Sequence, residues 1–356
     1  MIKFQKNGSP IQNQRNLSMK IGTLVLIMIS LILPLSAECL PETNLNRQSA
    51  QIDSTTRLLA LKHSEENFKK NPSVPSSIRW YKSKNPAELN GVALVIHGLN
   101  GRPDKMESII AELTACGIDC LNLSLRGHGK NYYPLEKTDS AAARMEAFKS
   151  VSYPLWKSEA FQAYRLVKKE GTQYGVPVFF IGFSMGGLLG VDLFASNSNV
   201  NFDKMVLFAP ALKMRQRNHL LKIFSPFPRL VIPSLAHKSY LSNSGTPMAA
   251  YNALFEMYDD LQNHLGPKIN VPTVVFIDKQ DELISFSGLQ EMVQKHALDQ
   301  WKIHPVKKDR TATEIKMHHL IIDQASVGQQ MWKEIADSTM MHLLGKTAAC
   351  APLQVP

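Results

Sequence analysis

Ser184 lies at the centre of Gly182-Phe183-Ser184-Met185-Gly186-Gly187, after the apolar run Val176 to Ile181 and before the apolar segment Leu188 to Ala195. Glycines two residues to either side of a serine suit a sharp strand-to-helix turn, whose crowded apex leaves no room for a Cβ. Such a turn holds the serine oxygen at the top of a sheet, above a helix N-terminus, which is the nucleophile elbow. The chemistry on offer is attack by an activated serine on a carbonyl carbon. A glycine-rich turn that merely packs tightly reads the same way, so the other residues must decide. An activated serine needs a base, a carboxylate to orient that base, and donors for the developing oxyanion.

Two later stretches offer those groups. Asp278-Lys279-Gln280-Asp281-Glu282 follows the apolar run 272–277, and Met317-His318-His319-Leu320 follows another run near 301–306. Asp278, Asp281 and Glu282 compete for the role of acid, and His318 and His319 for the role of base. The order along the chain is serine, acid, histidine.

Elements must carry these residues to one place. Gly91 to Ile96 is apolar throughout and reads as a central strand buried on both faces; it ends in His97-Gly98-Leu99-Asn100-Gly101. Further strands are expected at 77–82 (an edge strand), 119–125, 176–181, 203–209, 272–277 and 301–306. Helices are expected at 104–115, 155–170, 188–195, 289–297 and 327–344. Alternating apolar strands and amphipathic helices predict an α/β fold with a mainly parallel sheet, whose sites lie beyond the carboxyl ends of the strands. Residues 211–270 break the alternation. They contain several prolines and no clear strand, and at roughly 60 residues they exceed an ordinary loop. They read as a cap carrying its own small helices.

From about residue 78 to 343 the chain resembles the monoacylglycerol lipase / lysophospholipase group of α/β-hydrolases, close to serine aminopeptidase-type relatives. The residues that carry the likeness are His97-Gly98 with Gly101, Arg126-Gly127-His128-Gly129, the block around Ser184, Leu207-Ala209-Pro210, Asp281-Glu282 and His318-x-Leu320. The resemblance implies the α/β-hydrolase fold, a mainly parallel sheet flanked by helices, with a helical cap inserted after the sixth strand. It implies Ser184 as nucleophile, Asp281 as acid, His318 as base, and the N–H groups of Leu99 and Met185 as oxyanion donors. Asp278 stands where the family usually has glycine. The spacing to Leu320 and the following Asp323 favour His318 over its neighbour. His97, His128 and Arg126 read as scaffold. Neither a metal nor an organic cofactor is called for.

The 356 residues carry a formal charge of +10. That charge suits an anionic lipid surface, and no zinc-finger or RNA-binding signature supports nucleic acid. The first 37 residues read as a signal peptide: Lys3, Lys6, Arg15 and Lys20 precede the apolar run Ile21 to Leu35, with Ser36-Ala37 after it. That run is short of the ~20 residues of a comfortable span. The expectation is an exported protein, with a membrane anchor at 21–35 as the alternative. Residues 38–75 read as a linker or helix, 76–346 as the hydrolase domain, and 347–356 as a tail. Cys39, Cys116, Cys120 and Cys350 match no metal site, and their pairing stays open.

Between Lys213 and Ala250 there are six Lys or Arg residues and no Asp or Glu, interleaved with Leu, Ile, Phe and Val. A basic, apolar cap suits acyl chains and anionic head groups, with Arg215, Arg217 or Lys222 meeting the anion. An aminopeptidase would need an acidic group for the substrate ammonium. The expected substrate is a lipid or small ester, a monoacylglycerol or lysophospholipid first. A small-ester carboxylesterase or aminopeptidase is the alternative, and a silent binding protein the lesser one.

Overall fold

The computed structural model describes residues 77–345, apart from 84–88, 134–137, 235, 310 and 312. The leader, the linker and the C-terminal tail lie outside the described residues.

Seven strands form the main sheet, in the order β1-β3-β2-β4-β5-β8-β9. They are β1 (Ile78–Tyr81), β2 (Gly91–Ile96), β3 (Ile118–Leu123), β4 (Val178–Phe183), β5 (Lys204–Phe208), β8 (Thr273–Asp278) and β9 (Trp301–Val306). Only β1 runs antiparallel, pairing with β3 at the edge, as Ile78 opposite Leu123. The central strands β2, β3, β4 and β8 are buried at every position. The unbroken apolar runs of β2 and β4 have this cause, since helices cover both faces of the sheet, whereas β3 also buries Asp119 and Asn122.

Those helices are α1 (Glu107–Ala115), α2 (Ser140–Phe148), α3 (Tyr153–Tyr174), α4 (Met185–Ser196), α5 (Met248–His264), α6 (Phe286–Lys295), α7 (Gln324–Val327) and α8 (Gln329–Leu344). One core layer joins β2, β4 and β5 to α3, α4 and α5 through Phe180, Trp156, Phe194 and Phe202. The opposite layer joins the sheet to α1 and α8 through Ile110, Leu113, Phe179 and Met340. In α3, Ser152 accepts the Leu155 N–H at the N-cap, and Gly175 ends the helix in the left-handed region. Helix α2, capped by Asp139, is not foreseen by the sequence reading. Cys120 is buried in β3 with a free thiol, so it does not pair with Cys116.

The insertion departs from expectation in two ways. It follows the fifth strand of the sheet rather than the sixth. It also contains a small antiparallel ribbon, β6 (Val231–Pro233) with β7 (Gly245–Pro247), beside a 3-10 helix at Gln216–Phe224 and the 17-residue helix α5. Both strands end on a proline, which short edge strands tolerate and central strands do not.

Candidate active site

The elbow is built from close backbone packing. Ser184 has φ +52° and ψ −117°, outside the regions open to ordinary residues, and its N–H donates to the Phe208 carbonyl on β5. A Cβ on Gly186 would press into the carbonyl oxygens of Ile96 and His97, and one on Gly182 would lie 2.6 Å from the Gly187 Cα. The glycines therefore let α4 start against β2. The Met185 N–H stands in the first turn of α4, where donors lack intrahelical partners.

Ser184 Oγ lies 2.7 Å from Nε2 of His319, and His319 Nδ1 lies 2.8 Å from Oδ2 of Asp281. All three residues are buried, Asp281 completely. Oδ1 of Asp281 accepts the N–H groups of Leu283 and Ile284 at 2.7 and 2.8 Å. Burial pushes its carboxyl up, but the His319 ring and those two donors outweigh it and hold the group below the usual carboxylate range. The Phe183 ring packs against the imidazole of His319, with centroids 5.3 Å apart.

This corrects the sequence reading of the base. The ring of His318 does not meet Ser184; its Nδ1 lies 2.7 Å from Oδ2 of Asp278. Two Asp–His pairs thus stand side by side, and only the second reaches the serine. The cue from Asp323 also fails. Its carboxylate accepts the Tyr240 hydroxyl and caps α7. Of the three acid candidates, Asp281 is the one paired with the ring that reaches the serine. Glu282 takes neither ring; it accepts the main-chain N–H groups of His318 and His319 at 3.0 and 3.1 Å.

The loop after β2 stands over the elbow. A Cβ on Gly98 would touch the Phe183 ring at 2.9 Å and the Ser184 Cβ at 3.2 Å, so the loop bearing Leu99 runs against the serine. His97 donates from Nδ1 to the Gly98 carbonyl, and its Nε2 accepts the Leu125 N–H. Burial lowers its pKa to about 4, so the ring is neutral and serves as scaffold. His128 does the same one step out, its Nε2 accepting the Asn100 N–H at 3.0 Å. Arg126 packs over Tyr133 and lies 3.8 Å from buried Glu159. Asn100 has φ +51° and bonds to the cap: its Oδ1 accepts the Asn243 N–H, and its amide donates to the Asn243 and Gly245 carbonyls. The sequence reading missed this clamp, because neither asparagine stands in a periodic pattern.

A cavity of about 310 Å³ opens above Ser184, Leu99, Met185 and His319. Its walls are mostly apolar, with Met214, Leu221 and Ile232 from the cap and Tyr251, Leu254 and Phe255 from α5. The last three follow helical spacing, a signal the sequence reading of the cap did not use. Arg102 and Lys105 are the charged side chains at the wall among the described residues. Arg215, Arg217 and Lys222 are elsewhere. Arg215 Nε donates to the Asp281 carbonyl, Arg217 to the Glu282 carbonyl, and Lys222 pairs with Asp259. None of these three lines the cavity, so the expectation that one of them meets a substrate anion finds no support in its walls. The two arginines strap the cap to the acid loop.

A mainly parallel sheet, an elbow at the end of β4, and serine, aspartate and histidine following one another in that order along the chain are the marks of the α/β-hydrolase fold. Residues 87–247 match the family described as serine aminopeptidase, S33. The matched segment includes Leu99, Ser184 and Met185 and ends before either histidine. No curated protein matches the chain. Among solved structures, a soluble variant of monoglyceride lipase from Saccharomyces cerevisiae superposes with a TM-score of 0.61 at 12% identity, covering 76% of this chain and 91% of that one. A metagenome-derived lipolytic enzyme gives 0.57 at 16% identity, over 76% and 98%. The monoacylglycerol lipase of Paleococcus ferrophilus gives 0.52 at 15% identity, over 76% and 100%.

Proposed function

We propose that this chain is a serine hydrolase of acyl esters, acting on monoacylglycerols or lysophospholipids. The observation that carries the reading is Ser184 Oγ at 2.7 Å from His319 Nε2, on the floor of an apolar cavity. His319 takes the serine proton as Oγ attacks the ester carbonyl. The N–H groups of Leu99 and Met185 hold the oxyanion, each such donor being worth ~10²–10³ in rate. Asp281 keeps the Nδ1 proton of His319 facing it and stabilises the imidazolium that forms. His319 then returns its proton to the departing alcohol, and water releases the acyl-enzyme by the same path.

The cavity wall favours an acyl chain over an aminoacyl group. No Asp or Glu lines it among the described residues, and Asp104 and Asp323 already face Arg102 and Lys105, so the wall offers a substrate ammonium no carboxylate of its own. The cap also exposes Leu220, Ile223, Phe227 and Leu230 beside Arg217 and Arg229. That surface supports peripheral contact with an anionic membrane. A small-ester carboxylesterase is the second reading. Hydrolysis rates over a series of p-nitrophenyl esters, lysophospholipids and aminoacyl anilides test the choice. Rates that climb from acetate to medium or long chains are the expected result, and a best rate on acetate or an anilide overturns the lipid reading.

A further inference from the structure

The base stands on a segment without helix or strand, Ile315 to Leu320, so something other than a ladder must hold it. Its main-chain N–H groups at His318 and His319 both donate to one carboxylate, Oε1 and Oε2 of Glu282, at 3.0 and 3.1 Å. From the other side, Nζ of buried Lys308 donates to the carbonyls of Ile315 and Met317. Glu282 in turn adjoins Asp281, whose side chain orients the His319 ring. One short loop therefore grips the histidine twice, by its ring and by its main chain.

We propose that Glu282 is a positioning residue for the reaction: its carboxylate fixes the His318–His319 main chain so that the His319 ring lies in line between Asp281 and Ser184. The inference rests on His319 being the base. A forked carboxylate suits two parallel N–H donors and binds them more strongly than a neutral acceptor does. A glutamine in its place offers one acceptor and turns an NH₂ donor toward the second N–H, so half of the grip becomes repulsive. A misplacement of about 1 Å at a reacting group can cost on the order of 10² in rate. The loss should fall on kcat, since Glu282 does not line the cavity.

The test is kinetic, on the full chain with a soluble short ester, with active sites counted by fluorophosphonate. Glu282→Gln should lower kcat per titrated site about 10–100-fold and leave KM within about twofold. Glu282→Asp, which keeps the charge and both acceptor oxygens on a shorter stem, should lose less. Because Glu282 works through His319, adding Glu282→Gln to His319→Ala should lower the residual rate no further. An unchanged kcat per site, a loss explained wholly by fewer titrated sites, or an undiminished effect in the His319→Ala background would each overturn the proposal. If His319→Ala alone keeps full activity, the assignment of the base fails instead, and the two failures are told apart in one experiment.

Discussion

At the residue scale, the distances rank the side chains. Fluorophosphonate should label Ser184, and Ser184→Ala should abolish labelling and lower turnover by about 10⁶, with His319→Ala costing about as much because such residues act as a unit. His318→Ala should retain most activity, since its ring reaches Asp278 and not the serine. Asp281→Asn should cost more than Asp278→Asn. Stopped assays on the purified variants check the ranking, and a larger loss from His318→Ala than from His319→Ala would reverse the assignment. The sequence reading chose the wrong one of two adjacent histidines for a physical reason. In a helix or strand, neighbours face directions given by the period. Residues 315–320 have none, and their facing follows from Glu282, more than thirty residues earlier in the chain, and from Lys308 in the preceding loop.

At the scale of elements, the elbow and the cap make separate demands. Gly186→Ala would drive a Cβ into two carbonyl oxygens of the β2 end, and neither can move without shifting the sheet. A cost of about 1–3 kcal/mol follows from such overpacking. The variant should melt lower by circular dichroism and lose labelling; an unchanged melting temperature would sink that account. The cap, by contrast, should tolerate change on its outer face. Replacing exposed Ile223 and Phe227 by Asp should weaken binding to anionic vesicles while leaving hydrolysis of a soluble short ester intact. Vesicle co-sedimentation beside a soluble assay separates the two effects, and undiminished sedimentation would remove the membrane from the reading. Cap length and composition were legible as an insertion. Its β-ribbon was not, because two three-residue strands ending on proline carry no period to detect.

At the scale of the whole molecule, buried imidazoles should make stability fall in acid. Burial holds His97 at about 4 and His128 well below the usual imidazole range, while both titrate near 6.5 when unfolded. Their contribution is then complete above pH 6.5 and is lost as pH falls through about 4, on the order of 3 kcal/mol for His97. Glu159 opposes them. Burial raises its carboxyl to about 7, so its contribution is complete below the unfolded value and lost as pH rises through about 7. Urea midpoints between pH 7 and 4 should fall less steeply in His97→Gln than in the native protein. Equal slopes would show that His97 is not the group responsible. The proposed export is a prediction of the same scale: N-terminal sequencing from the native compartment should find cleavage close to Ala37. An intact segment 21–35 in the membrane fraction would favour the anchor.

The sheet, the elbow and the serine–acid–histidine order could be read from the residues alone. Strands buried on both faces are mostly apolar, as β2 and β4 are throughout, and an elbow needs glycine where no Cβ fits, so both leave local marks. The strand end narrowed the acid to Asp278, Asp281 and Glu282, because sites in such sheets lie there, and only the family resemblance pointed to Asp281. Only the tertiary structure decided which histidine turns inward and that Glu282 holds the main chain of the pair. It also decided that Arg215 and Arg217 bond to the acid loop and leave the cavity to Arg102 and Lys105. Each of these depends on groups tens of residues apart meeting in loops. A long side chain there can reach a carbonyl or a cavity equally well, and the packing of the cap on the sheet makes the choice.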